Sequence, residues 1–280
     1  MLASTALACG RRGERSGAGA AARVASRTVF ADEVLWALGP AIRERVIGLS
    51  PMVDDPRYST VAGQWPEATP RLGLNPEELL ALAPDLVILA SYSAPEYVAA
   101  IEGSTRVLVL DDFTGFAGYR DGVRRIGQAL GEPAAAAALI EQFAAREAAL
   151  AATRPPADAR PSVLAWDYGY VPGSATSFDD AARCAGFVNL AAREGIAGHQ
   201  RLDAEQLLAW DPEWIVIGCG DSTCAEAKAK LAAQPGFSAL RAVTRDQVIA
   251  IEAPYLATVG DGMLELAARM QAALLQERRG

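Results

Sequence analysis

The stretch that decides the fold reads Leu74-Asn75-Pro76-Glu77-Glu78-Leu79-Leu80-Ala81-Leu82-Ala83-Pro84-Asp85-Leu86-Val87-Ile88. The same pattern returns without gaps as Leu202-Asp203-Ala204-Glu205-Gln206-Leu207-Leu208-Ala209-Trp210-Asp211-Pro212-Glu213-Trp214-Ile215-Val216. The second copy lies 128 residues after the first, from position 77 to position 205. An internal repeat of this length indicates that one structural unit is used twice.

Each copy carries the signals of a short helix followed by a buried strand. Asn75 precedes Glu78 by three positions, and Asp203 precedes Gln206 by three, which is the capping-box pattern of a helix start. A proline then ends the helix in both copies. The apolar runs at 86–89 and 214–217 do not alternate with polar residues, as expected of strands covered on both faces. The repeat therefore predicts parallel sheets.

A second pair of elements follows the repeat. Strands are predicted at 107–111 and 248–252, each leading through a glycine-bearing loop into a helix, at 119–130 and 261–275. This pair is offset by 141 residues, from position 107 to position 248, so the second half carries 13 additional residues between its two units. We expect the insertion within the stretch 219–224.

The segment between the two halves predicts one long helix. Residues 133–154 are rich in alanine, lack internal glycine and proline, and place Leu139, Ile140, Phe143 and Leu150 on roughly one face. The predicted fold class is α/β, with two similar α/β lobes that have central, mainly parallel sheets and are joined by a single long α-helix. The predicted domains are a signal and tether at 1–22, an N-terminal lobe at 23–132, the connecting helix at 133–156 and a C-terminal lobe at 157–280.

Composition excludes several function classes. The chain has 280 residues, of which 51% are hydrophobic and 21% charged, as in folded soluble proteins. Its net charge of -8 argues against a nucleic-acid partner, which normally meets a basic face. The one histidine, His199, excludes sites that need several imidazoles. No stretch reaches the roughly 20 apolar residues of a membrane-spanning helix.

The N-terminus resembles the end of a bacterial lipoprotein signal. It reads Leu2-Ala3-Ser4-Thr5-Ala6-Leu7-Ala8-Cys9-Gly10, without the basic region and most of the apolar region of a full signal. We expect Cys9 to carry a lipid anchor and residues 10–22 to form a tether. The protein would then be periplasmic or at the cell surface, touching the membrane only through that anchor. The alternative is a short apolar N-terminus with a chance cysteine.

The pattern over residues 22–278 resembles the vitamin B12-, haem- and iron-siderophore-binding proteins of ABC importers. The stretches that carry the resemblance are Arg23-Val24, Asp32-Glu33-Val34-Leu35-Trp36-Ala37-Leu38-Gly39, Arg45-Val46-Ile47-Gly48-Leu49-Ser50, Pro70-Arg71-Leu72-Gly73, Leu82-Ala83-Pro84-Asp85-Leu86-Val87-Ile88, residues 173–178, Cys184-Ala185-Gly186 and Asn189. The chain departs from the family's Pro-Ser and Thr-Glu pattern at Ser26-Arg27-Thr28-Val29-Phe30, where we expect Asp32 to cap the first helix.

The resemblance implies a ligand cleft between the lobes and one glutamate per lobe that docks on the permease. The matching positions are Glu77 and Glu205, each the second residue of a predicted helix. The alternative is that a carboxylate there only favours the positive helix end. The implied partners are an ABC permease with its ATPase and a small-molecule metal complex, which is the transported ligand: an iron-siderophore, haem or cobalamin. We expect a monomer without a cofactor of its own.

Aromatic residues after predicted strands are the candidate ligand contacts, because ligands of open α/β sheets bind at the carboxyl ends of the strands. Aromatic faces suit a corrin, a porphyrin or an aryl siderophore. The alternative for each is core or rim packing. Haem iron could also take a ligand from His199, Tyr168, Tyr170 or Tyr255. The candidates are Trp65, Tyr92, Trp166, Tyr168, Tyr170 and Tyr255.

The remaining cysteines leave two interpretations open. Outside the cytoplasm, Cys219 and Cys224 could form a disulfide, with Cys184 buried as a small apolar group. A metal site at the same two cysteines would lack a third and fourth ligand nearby.

Two rival functions remain from the sequence. Two-lobed α/β proteins also include chelatase-like metal enzymes, although the chain has neither a P-loop nor a nucleophile elbow after a strand. A scavenger would hold haem or another metal complex without a transporter. We favour a binding protein over an enzyme.

Overall fold

The computed structural model describes residues 20–167, 169–220 and 222–278. Within them the chain forms two lobes, each around a four-stranded parallel sheet, with one long helix between. This confirms the predicted fold class. Cys9, most of the 1–22 segment and Tyr168 lie outside the described residues.

The N-terminal lobe has the strand order β2-β1-β3-β4, and all three strand pairs are parallel. Its central strand β3 has five buried residues in succession, because helices cover both faces of the sheet. The elements are β1 (Val24–Ser26), α1 (Val29–Ala37), α2 (Pro40–Arg43), β2 (Val46–Gly48), α3 (Pro76–Ala81), β3 (Leu86–Ala90), α4 (Pro95–Glu102), β4 (Arg106–Leu110) and α5 (Phe116–Leu130).

The C-terminal lobe repeats this arrangement. After the connecting helix α6 (Pro133–Thr153), its sheet has the order β10-β9-β5-β7, and a separate antiparallel pair, β6-β8, lies beside it. The elements are β5 (Ser162–Ala165), β6 (Tyr170–Pro172), α7 (Ser177–Ala185), β7 (Val188–Asn189), α8 (Leu190–Arg193), β8 (His199–Arg201), α9 (Ala204–Trp210), β9 (Trp214–Gly218), α10 (Cys224–Ala232), α11 (Arg241–Thr244), β10 (Val248–Ile251), α12 (Ala253–Ala257) and α13 (Gly262–Glu277).

The two copies of the repeat occupy equivalent places. Each gives a short helix, α3 or α9, followed by a strand next to the centre of its sheet, β3 or β9. Asp203 accepts a hydrogen bond from the amide of Gln206, as the capping pattern predicts. In the first copy the amide of Glu77, and not that of Glu78, donates to Asn75. The cap is therefore formed one residue earlier in α3 than in α9.

The predicted position of the insertion was wrong. Fifteen residues separate α10 from β10, whereas three separate α4 from β4, so the extra chain follows α10 and not the stretch 219–224. It forms a 3-10 turn at Phe237–Ala239 and the helix α11. Phe237 is fully buried against Trp166, so the insertion completes the core of the C-terminal lobe.

The connecting helix packs against both lobes. Its fully buried Phe143 contacts Tyr119 of α5 at 4.5 Å between ring centroids. On the other side, Gln271 of α13 donates to the carbonyl of Leu150 at 2.8 Å. These contacts hold α6 against both lobes. Neither α6 nor any other helix in the described ranges is long and apolar enough to cross a membrane.

Candidate functional site in the cleft between the lobes

A pocket of about 550 Å³ lies between the lobes, and we call it the cleft pocket. The N-terminal lobe supplies most of its wall, from the carboxyl ends of β1, β3 and β4 and the loop after β2. Residues 257–259, at the end of α12 and directly after it, close it from the C-terminal lobe. The pocket thus lies where ligands of parallel α/β sheets bind.

The wall of the cleft pocket is aromatic. Tyr92, which follows β3, is 74% exposed, and its ring lies 5.7 Å from that of Phe113. Phe113 in turn meets the buried Phe30 edge-to-face at 5.9 Å. The exposed Tyr58 and Met52 face the same space. A flat apolar ligand could therefore bury its surface against rigid rings with little loss of side-chain entropy.

A second pocket, of about 590 Å³, adjoins the cleft pocket, and we call it the side pocket. Arg27 and Tyr92 line both pockets. The remaining wall comes from the start of α3, with Leu74 and Pro76, and from the start of α4, with Ser93, Ala94, Glu96 and Tyr97. Leu74 is 85% exposed. The two pockets therefore adjoin at Arg27 and Tyr92.

Two buried carboxyl groups lie below the cleft. The prediction that Asp32 caps α1 is wrong, because the helix begins at Val29 with Thr28 before it. Asp32 is fully buried and accepts hydrogen bonds from the amide and hydroxyl of Ser50. Glu33 lines the cleft pocket and accepts from the amide and hydroxyl of Thr60 at 2.8 and 2.7 Å. Burial raises the pKa of both groups.

The pKa of Asp32 predicts a specific pH dependence of stability. Burial raises this pKa from its usual 3.8 to about 7, although hydrogen bonds from Ser50 and Ser26 oppose the shift. The folded state therefore holds the proton more tightly than the unfolded state, and Asp32 lowers the free energy of unfolding as the pH rises from about 4 to about 7.

We expect Asp32→Asn to remove this contribution. Denaturant unfolding of both proteins from pH 4 to pH 8 measures it. The stability of the variant relative to the natural protein will rise with pH, by about 1.4 kcal/mol for each unit of the pKa shift. A stability difference that stays constant over this range would contradict the assignment.

The structure separates the predicted ligand contacts. Tyr92 lines the cleft pocket, whereas Trp65 and Trp166 are 3% and 7% exposed and lie in the hydrophobic cores. Trp65 packs edge-to-face on Trp36 at 5.1 Å. Tyr170 is half exposed on β6 with Arg201 over its ring, and it lies outside both pockets.

Tyr255 lies next to the cleft without lining either pocket. It belongs to α12, the helix that leads into residues 257–259, and the guanidinium of Arg269 covers its ring at 4.6 Å. His199 lies exposed on β8, away from both pockets. In the described part of the chain, no group of three or more His, Cys, Asp or Glu side chains could hold a metal ion.

The sequence predictions missed Arg27, Tyr58 and Phe113 as pocket residues. A signal for two of them was available, because Arg27 and Phe113 follow β1 and β4 at the carboxyl edge of the sheet. Tyr58 belongs to the long segment between β2 and α3, which carries no periodic pattern. The place of Tyr58 in the pocket is therefore visible only in the tertiary structure.

Glu77 and Glu205 are the second residues of α3 and α9, and both are exposed. Within the described ranges, neither carboxylate forms an ion pair or a side-chain hydrogen bond. Only the backbone amide of Glu77 takes part in the cap of α3. The two side chains are therefore free to meet a partner from equivalent positions on the two lobes.

Cys219 and Cys224 form a disulfide, and Cys184 is free and buried, which confirms the first of the two cysteine interpretations. The bridge closes the loop between β9 and α10. Gly220 of this loop lies close to Ala253 of α12 and to Arg57 of the N-terminal lobe. The disulfide thus shapes a loop at the junction of the lobes.

We expect the double variant Cys219→Ser, Cys224→Ser to lose about 2 kcal/mol of stability, because the open loop gains entropy in the unfolded state. Denaturant unfolding measures the loss. Thiol titration of the denatured natural protein should find two more thiols after reduction than before. An unchanged thiol count would refute the bridge.

A family model described as periplasmic binding protein matches residues 24–255. A cobalamin-binding protein of Halobacterium salinarum is 28% identical over 257 residues, which cover 89% of this chain and 68% of that protein.

Two solved structures have the same fold. The periplasmic haem-binding protein BhuT, in complex with two haems, is 27% identical with a TM-score of 0.73, covering 91% of this chain and all of that one. The periplasmic haem-binding protein RhuT from Roseiflexus sp. RS-1, in its apo form, is 25% identical with a TM-score of 0.72, covering 90% and 98%. Because the family model matches most of the 280 residues, the chain belongs to the periplasmic binding protein family.

Proposed function

We propose that this protein captures a metal complex in the cleft between its lobes and delivers it to an ABC permease with its ATPase. The observation that carries the proposal is the aromatic wall of Tyr92, Phe113 and Tyr58 facing residues 257–259 across the cleft pocket. Its size and apolar rings suit cobalamin, haem or an iron-siderophore. The relatives named for cobalamin and haem support this ligand class.

Absorbance titration of the purified protein tests the proposal. Haem, cobalamin and ferric siderophores each absorb strongly, so equilibrium dialysis against the protein, read by absorbance, counts the bound ligand. We expect one class to saturate the protein at one or a small whole number of ligands. Failure of all three classes to bind would contradict the proposal.

The permease and the anchor are further parts of the proposal. We assign docking to Glu77 and Glu205, one on each lobe, because two separated carboxylates suit recognition by arginines on a two-fold symmetric partner. The protein would act as a monomer outside the cytoplasm, held to the membrane by a lipid on Cys9. Mass spectrometry of Cys9 from native membranes tests the anchor, and an unmodified cysteine would refute it.

A further inference from the structure

Arg27 differs in its partners from the other arginines near the cleft. Arg57 and Arg71, on the segment after β2, bond to Asp55 and Asp54. Within the described residues, no carboxylate forms an ion pair with Arg27. Its guanidinium instead lies over the ring of Tyr97 at 4.1 Å from the centroid, which fixes the position of the charge without neutralising it.

Polar atoms at Arg27 and Tyr97 are buried without a partner. Among the residues that the structure describes, the Nε of Arg27 and the hydroxyl of Tyr97 have no hydrogen-bond partner, and Tyr97 is only 6% exposed. Buried polar groups in folded proteins are nearly always satisfied. Both residues line the side pocket, and a group bound there could meet the guanidinium through its terminal nitrogens, because the Nε itself has almost no accessible surface.

The start of α4 adds positive potential to the same pocket. Ser93, Ala94 and Glu96 line it, and Ala94 offers no side-chain cap to the eight-residue helix. Amides at a helix start attract anions. Two carboxylates also lie on the walls: Glu96, exposed in the side pocket, and Glu33, which is already bonded to Thr60 in the cleft pocket. Neither pairs with Arg27.

We propose that Arg27 binds an anionic group of the captured metal complex, a carboxylate or a phosphate ester, in the side pocket. The inference rests on the proposed function and narrows its ligand class. The aromatic body of the complex lies in the cleft pocket, and the anionic arm passes Tyr92 to reach the guanidinium. Arginine suits this role because its planar fork matches both groups and stays charged at any physiological pH.

Paired probes with and without the anionic groups of the ligand test the inference. Haem, with its two propionates, is compared with haem dimethyl ester, and cobalamin is compared with cobinamide, which lacks the phosphodiester together with its nucleotide. Absorbance titrations give the affinity of each probe for the natural protein and for Arg27→Gln, Arg27→Lys and the control Arg201→Gln. The control also removes a guanidinium from a tyrosine ring, but outside both pockets.

For at least one pair, the natural protein and Arg201→Gln will prefer the anionic member by about 10- to 100-fold, the range of one charge-assisted hydrogen bond. Arg27→Gln will lose this preference, and Arg27→Lys will keep part of it. If Arg27→Gln retains the full preference, or the natural protein binds both members of every pair equally, the inference fails and the proposed function stands. If no probe binds the natural protein, the inference fails, and the proposed function then depends on the titration with ferric siderophores.

Discussion

Replacing Glu77 and Glu205 together with alanine will abolish uptake of the metal complex by cells while its affinity for the purified protein stays unchanged. The reason is geometric. Both carboxylates are exposed, lie at the same position of equivalent helices, and take no part in either pocket. Each substitution removes the favourable interaction between a carboxylate and the positive end of its helix. This loss lowers the free energy of unfolding by only about 0.3 to 1 kcal/mol, so the fold remains intact.

Uptake of labelled ligand by cells that carry the permease measures the effect. The matched control is Glu78→Ala, Gln206→Ala, which removes the exposed neighbours one position further along the same helices. We expect this control to transport normally and each single variant to transport slowly. Normal uptake by the Glu77, Glu205 double variant would contradict a docking role for these two residues.

Replacing Tyr92 with alanine will weaken ligand binding by about 10- to 100-fold, the usual range for an aromatic side chain at the centre of a binding site. Tyr92 lines both pockets and packs on Phe113. Because its side chain is 74% exposed, the thermal stability of the variant should change little. Tyr92→Phe keeps the ring and should bind nearly as well as the natural protein.

Absorbance titration measures the loss, with Tyr170→Ala as the control. Tyr170 is also an exposed tyrosine, at the start of β6, but it lies outside both pockets. We expect the control to bind with unchanged affinity. Equal losses in the two variants would show that the ligand is not held at the cleft pocket.

The repeat made the framework of the fold predictable. Strands buried on both faces appear as unbroken apolar runs, and the runs at 86–89 and 214–217 became β3 and β9 of two parallel sheets. The connecting helix was predictable because its apolar residues share one face and its sequence lacks breakers. These are local patterns, and the tertiary structure did not override them.

The site was less predictable, because an aromatic residue after a strand can face the cleft or the core. Trp166 follows β5, as Tyr92 follows β3, yet Trp166 packs on Phe237 of the insertion. Only the folded insertion supplies that partner. Asp32 had the residue type of a cap, but the helix begins earlier and the carboxylate bonds to Ser50 of a distant loop.

Arg27 shows which rule would have found more of the site. The stretch from Ser26 to Phe30 departs from the family pattern and follows β1, so it had to lie at the carboxyl edge of the sheet. Arg27 lines both pockets at this edge although it is not aromatic.

The central claim is that a metal complex binds between the lobes, and a crystal structure of the protein with the complex it binds tests it most directly. The account predicts the complex in the cleft pocket, with its face on Tyr92 and Phe113 and its opposite side against residues 257–259. An anionic arm should reach Arg27 in the side pocket. A complex bound outside both pockets would contradict the account.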